Sequence, residues 1–352
     1  TAMSNTEPDP PERVCAGTEA AGTEILTPRE VPLGGPRAMT VHRTLPQRAR
    51  SLIGPWCFVD HFGPDDVAAT GGMNVPRHPH TGLATVTLLF AGEVEHTDST
   101  GFVNTVRPAE VNLMIAGSGI SHSEFSNPAT RILHGVQLWY ALPESERFGQ
   151  PGSQHHVAEA VELPGGQVWT YLGECAGLRS PVETRVEALA AQIHVEPGEQ
   201  VRFDVDPEYE LGLLVDQGAA QLRASGGVAS AGGDATAVTS RELAYVPPGS
   251  DQLTVAAGDE AVRAVLIGGR PLGEQIVMWW NFVARSHDEV IAFRRAWQAE
   301  IGHPDAEAAG TEARDTELPA AAAGMDFGPF TAGTPDPLPA PRLPNARLRP
   351  RS

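Results

Sequence analysis

The sequence predicts an all-β chain folded as two small β-barrels of similar size. Short β-favouring runs, cut by Gly, Pro and Asp, fill two blocks at residues 25–142 and 167–268. The chain carries 37 Gly and 31 Pro, a turn density that suits strands better than long helices. The longest helical pattern is 288–300, with Val290, Ile291, Phe293 and Trp297 apolar and Ser286 placed to cap it. At roughly 150 residues per domain, two domains are the prior for 352 residues.

Four regions follow in order. Residues 1–24 are polar, acidic and Pro-rich and read as a disordered leader. The first domain, 25–150, contains a strand at 85–90, the turn Ala91-Gly92, and a return strand at 94–97 that would close a hairpin. Further strands are expected at 111–116 and 135–140. The second domain, 151–300, has strands at 191–195, 211–215, 243–246 and 264–267, with turns at Pro197-Gly198 and Pro247-Pro248-Gly249. Residues 301–352 form an Ala/Pro/Arg-rich extended tail ending with Arg342, Arg347, Arg349 and Arg351. It reads as solvated, the alternatives being return to the acidic body or an acidic partner.

Charge and composition exclude several functions. With 25 basic and 44 acidic residues the net charge is −19, which repels phosphate backbones and argues against direct nucleic-acid binding. All the basic residues are Arg; without Lys there is no Schiff-base or P-loop chemistry. No apolar run approaches the ~18 residues of a membrane span, and no charged-then-apolar signal opens the sequence. Cys15, Cys57 and Cys175 are too few and too scattered for a disulfide framework, so a reducing cytoplasm is the expected compartment. The Gly-x-Ser-x-Gly and Gly-x-Gly-x-x-Gly motifs are absent, leaving hydrolase and dinucleotide chemistry without support.

The chemistry is concentrated in His78-Pro79-His80 and His122-Ser123-Glu124. On a strand, residues i and i+2 face the same side, so each triplet aims two side chains into one space. Three imidazoles and a carboxylate suit a borderline first-row metal rather than Ca or Mg. Four ligands in an octahedral site leave two positions for water, oxygen or substrate. The competing pair His96 and Asp98 is set aside: in the expected hairpin His96 lies opposite Thr87, roughly 23 Å from His80, on an exposed face. His134 reads as a core histidine or a support behind the ligands, and His61 as structural. His155, His156 and His303 are expected in solvated loops, and Asp204, Asp206, Glu208 and Glu210 on an acidic loop face.

Gly72, five intervening residues before His78, together with Gly92 after the following strand, resembles the first cupin motif. The segments Arg77-His78-Pro79-His80-Thr81-Gly82, Glu95-His96-Thr97-Asp98-Ser99, Gly117-Ser118-Gly119-Ile120-Ser121-His122-Ser123-Glu124 and His134-Gly135-Val136-Gln137-Leu138-Trp139 resemble the pirin family of bicupins. Trp280-Asn281-Phe282-Val283 is similar to the family's closing stretch. The resemblance, over about 30–300, implies two cupin (jelly-roll) barrels with a metal in the first only. It implies metal ligands at His78, His80, His122 and Glu124 and points to Fe(II), with Mn, Ni, Co, Cu and Zn as alternatives. Two positions depart from the pattern: Ala84 stands where members often have Glu, altering the polarity expected beside the metal, and Pro108-Ala109-Glu110 replaces a Pro-Gly-Asp turn.

Two activities follow from the resemblance. One is a quercetin 2,3-dioxygenase-type oxygenase acting on a flavonol-like substrate with O2, in which Glu124 is the catalytic base that takes the 3-hydroxyl proton. The other is a non-catalytic, redox-sensing regulator that binds a transcription factor or a metabolic enzyme. A monomer is expected in either case.

Overall fold

The computed structural model describes residues 22–33, 39–226, 235–304, 325–330, 334–344 and 346–351. The expected disordered leader lies outside these residues up to 21, and its last residue opens a strand, Glu24–Leu26. The chain is nearly all-β, and its two barrels share one plan: a seven-stranded antiparallel sheet faced by a four-stranded one.

In the first barrel the large sheet runs Gly152–Val157, Glu110–Ile115, Leu83–Ala91, Ile132–Ala141, Trp56–Asp66, Met39–Leu45 and Arg29–Leu33. Its small sheet runs Asn74–His80, Ile120–Ser126, Val94–Asp98 and Val103–Val106. The second barrel repeats the plan, with Glu24–Leu26 at one edge of its large sheet, paired to Leu243–Val246. Gly152–Val157 in turn pairs with Glu110–Ile115. The boundary expected at 150 is therefore crossed in both directions, each barrel borrowing an edge strand from beyond its own stretch of sequence.

Side-chain alternation gives the two large sheets different faces. Val86, Leu88, Leu113, Val136 and Leu138 join Leu214, Leu243, Val265 and Ile267 in one apolar cluster between the barrels. The interior of the second barrel is apolar as well, filled by Val168, Ile193, Val201, Leu213, Leu222 and Leu266. The interior of the first is divided between an apolar cluster that includes Val41, Phe62, Val75, Leu89 and Val94 and a polar row. Register aligns Asn112, Thr87, Gln137, Asp60 and Arg43 in one row across five strands, all buried. Arg43 and Asp60 close the row with a two-bonded ion pair at 2.7 and 2.8 Å.

The helix His287–Glu300 forms as expected, Ser286 Oγ accepting from the Glu289 amide at 3.2 Å. Val290, Phe293 and Trp297 are buried on one helix face. The tail is a correction: its described parts dock on the body. Phe327 is fully buried against Trp297 and Phe282, because it supplies an aromatic ring to an otherwise open apolar face of the helix. Trp297 Nε1 donates to the Leu338 carbonyl, Arg294 to that of Pro341, and Ile276 and Arg351 bridge through their backbones. The basic end meets the acidic body at Arg347–Asp288, 2.6 Å. No helix among the described residues is long and apolar enough to cross a membrane.

Candidate metal centre

Asn74–His80 and Ile120–Ser126 lie antiparallel with His78 opposite His122, so the two triplets point into the first barrel from adjacent strands. The pairing shifts register between His122 and Glu124, where the facing strand carries Pro76, which cannot donate to the ladder. The ligand atoms of His78, His80 and His122 lie within 4.8 Å of one another, with His80 Nε2 3.0 Å from His122 Nε2. Glu124 is not in that group. It stands within the same reach of His122 and His96. The structure thus brings three of the four expected residues together and places the fourth beside them.

His96 and Asp98 correct the sequence reading. They are 1% and 3% exposed, and Val94–Asp98 does not return along Leu83–Ala91. At Gly92 the chain leaves the large sheet for the small one, where Glu124 faces His96 and His122 faces Asp98. The hairpin assumption fails there, and with it the 23 Å separation. The i, i+2 spacing that marks the other two pairs is the available signal.

Hydrogen bonds fix the imidazole tautomers. His78 Nδ1 contacts the Pro76 carbonyl at 2.9 Å, and His80 Nδ1 the Asn281 carbonyl at 3.2 Å. A carbonyl only accepts, so both Nδ1 atoms carry the proton and both Nε2 atoms present lone pairs. His96 Nε2 donates to Asp98 at 3.1 Å, which leaves His96 Nδ1 to accept from His122 Nδ1 at 3.3 Å. His122 Nε2 is then a lone pair too. Burial supports neutral rings: it pushes the His78 pKa down to about 4 and those of His80 and His122 well below the usual value. Three converging lone pairs, two of them 3.0 Å apart, repel unless a cation lies between them. The donor set therefore fits a first-row divalent ion.

Around this core, Asp98 is kept ionised. Burial pushes its carboxyl up, but hydrogen bonds from His96, Ser153 and Thr100 outweigh burial and hold it below the usual range. Burial raises the Glu124 carboxyl, which Thr87 contacts at 3.2 Å. Thr87 also contacts Gln137 at 3.0 Å. A hydroxyl has one proton, so both contacts are satisfied when Gln137 turns its amide NH2 to Thr87 and Thr87 donates to Glu124. Trp139 walls the site, its ring edge-on to His80 at 5.1 Å. Asn281, which comes from the second half of the chain, and Gln137 lie in segments that carry the resemblance, but nothing in their spacing, or in that of Thr87, assigns them a place at the site.

His61 and His134 lie apart from this centre, together with Asp216. His155 and His156 sit on the strand Gly152–Val157 rather than in a loop.

A family model for pirin matches residues 38–140, and one for the pirin C-terminal cupin domain matches 190–301. A Pseudomonas aeruginosa protein named "Putative quercetin 2,3-dioxygenase" is 38% identical over 311 residues, covering 86% of this chain and 94% of that protein. The chain belongs to the pirin family. A pirin-like protein of Caulobacter vibrioides is 34% identical over 272 residues, 74% of this pirin and 88% of the relative. The crystal structure of a quercetin 2,3-dioxygenase from Acinetobacter baumannii superposes with a TM-score of 0.78 at 29% identity, covering 94% of this chain and 98% of that one.

The fold explains one departure from the family pattern and shows what the other costs. Ala84 faces the apolar layer between the barrels with Val86 and Leu88, so it does not alter polarity beside the histidines as expected. Ala109 adopts φ 66°, a left-handed conformation in which glycine would be unstrained.

Proposed function

We propose that this pirin is a metal-dependent oxygenase of the quercetin 2,3-dioxygenase type, with His78, His80 and His122 holding Fe(II) and Glu124 as a fourth ligand that is released to act as base. The observation that carries the reading is the convergence of three buried, neutral imidazoles inside the first barrel, with His80 and His122 Nε2 3.0 Å apart. The names of the Pseudomonas and Acinetobacter relatives supply the reaction class. When bound, the ion would supply a Lewis-acidic, redox-capable centre for O2 chemistry.

The chain's own residues do the rest. Glu124 takes the proton of a flavonol-like 3-hydroxyl once it is off the ion, where burial raises its carboxyl above the ordinary range. Thr87 and Gln137 orient it, and Asp98 through His96 holds the His122 ring.

Oxygen uptake by Fe(II)-loaded protein on adding quercetin, with carbon monoxide trapped, tests this. Stoichiometric carbon monoxide that His122→Ala abolishes is expected. Glu124→Ala should lower turnover at least ~100-fold while the histidines retain metal, and wild-type turnover by that variant would remove Glu124 as base.

One observation favours a regulatory second reading: all four residues are 2% exposed or less. A cavity of about 690 Å³ lies in the second barrel, lined by Cys175, Phe203 and Tyr209 among others, and includes none of them. Metal retention without oxygen uptake, for quercetin and for smaller enolic substrates, would put that reading first.

A further inference from the structure

We propose that His61, His134 and Asp216 form a second divalent-cation site that ties the two barrels together. The first two residues come from adjacent strands of the first barrel, Trp56–Asp66 and Ile132–Ala141, and the third from Glu210–Gln217 of the second. Two of the three are aimed by irregular backbone. The ladder shifts register around His134, and again between Val215 and Gln217, leaving Asp216 unpaired. Such bulges re-aim side chains out of the pleat.

The donor atoms converge closely. Asp216 Oδ1 is 2.6 Å from the Nε2 of both His61 and His134, and the two Nε2 atoms are 3.4 Å apart. Around a tetrahedral zinc, donors at ~2.0–2.1 Å stand about 3.3 Å from one another. The imidazoles already have that spacing, and the carboxylate oxygen needs to withdraw by only about 0.7 Å. Two imidazoles and a carboxylate are a first-row metal set.

The surroundings fit. Arg263 Nε donates to Asp216 Oδ2 at 2.6 Å, which turns Oδ1 to the rings as partners behind ligating carboxylates do. Phe90 packs against both imidazoles, with Arg263 on its face at 4.6 Å. His61, 1% exposed, has no hydrogen-bond partner at Nδ1. Asp216 Oδ1 only accepts, so Nε2 carries the proton of the metal-free ring; that proton must leave Nε2 when an ion binds, and Nδ1, whose lone pair is unused, can take it. The hydrogen bonds from His134 and His61 outweigh burial and hold Asp216 ionised. The chain's charge of −19 favours cation uptake generally.

Metal-stripped full-length protein titrated with Zn²⁺, desalted and assayed for bound ion, tests the site. Wild type should hold two ions per chain, His80→Ala one and His134→Gln one. In the His80→Ala background Zn²⁺ should still raise the melting temperature, since the ion binds only docked barrels, and adding His134→Gln should remove that rise. A single ion kept by His80→Ala and lost by His134→Gln would also support the site, even if the first centre failed to bind. A single ion kept by His134→Gln and lost by His80→Ala would overturn it, leaving a hydrogen-bonded latch. So would two ions retained by His134→Gln. Asp216→Asn, of equal size, gives the same reading should His134→Gln fail to fold.

Discussion

Acidifying the metal-free protein should expose the energetic cost of burying neutral histidines. His78 is 2% exposed, and its pKa falls from 6.5 unfolded to about 4 folded. Below pH 6.5 the unfolded chain binds a proton that the folded one refuses, so stability is full above 6.5, declines between 6.5 and 4, and is lost below. A shift of this size is worth about 3 kcal/mol, a large part of a typical ~5–15 kcal/mol total. His80 and His122 act in the same direction, while Glu124, whose pKa is raised, acts in the opposite one. Urea unfolding from pH 7 to 4, comparing wild type with His78→Asn, isolates the one contribution. The variant should lose roughly 3 kcal/mol less than wild type across that window. Parallel stability curves would refute the assignment of a buried, neutral His78. Saturating metal should make wild type resist acid further, because protons then compete with an ion for the same lone pairs.

Three more outcomes follow. Asp98→Asn should weaken metal binding about 10–100-fold by loosening the His96–His122 chain, read by competition with a chelator, and unchanged affinity would show that His122 needs no such support. Phe327→Ala should cost about 3 kcal/mol in a thermal melt and shift tryptophan emission to the red as Trp297 becomes wet; a melt like wild type would mean that the tail is not docked. Cys57 and Cys175, whose thiols burial pushes up to about 12, should react with a disulfide reagent at pH 8 only after unfolding.

The candidate ligands were legible because strand alternation is a local rule: His78 with His80, and His122 with Glu124, needed only period two. Anything depending on which sheet a strand joins was not. Residues 94–98 follow 83–91 after a Gly-containing turn, and no local feature tells a hairpin from a crossing to the opposite sheet. The departure of Glu124 from the histidine group arises from a register shift opposite Pro76. Asn281 reaches His80 from about 200 residues away. The tail was misread for a similar reason: its Pro-rich composition suggests solvation, and the groove that holds Phe327 exists only once the helix His287–Glu300 has packed.

The exchange of edge strands between the barrels sets a schedule for synthesis. Glu24–Leu26 leaves the ribosome early, but its partner Leu243–Val246 follows about 220 residues later, a wait of roughly 10–40 s at ordinary elongation rates. Throughout that wait the segment has no ladder of its own to join, and it could pair instead with the Leu243–Val246 edge of a chain further along in synthesis. Intermolecular strand exchange on crowded polysomes is thus the characteristic assembly error of this architecture. Separating the barrels by cutting near residue 150 would make that error permanent, since each fragment would retain a strand belonging to the other.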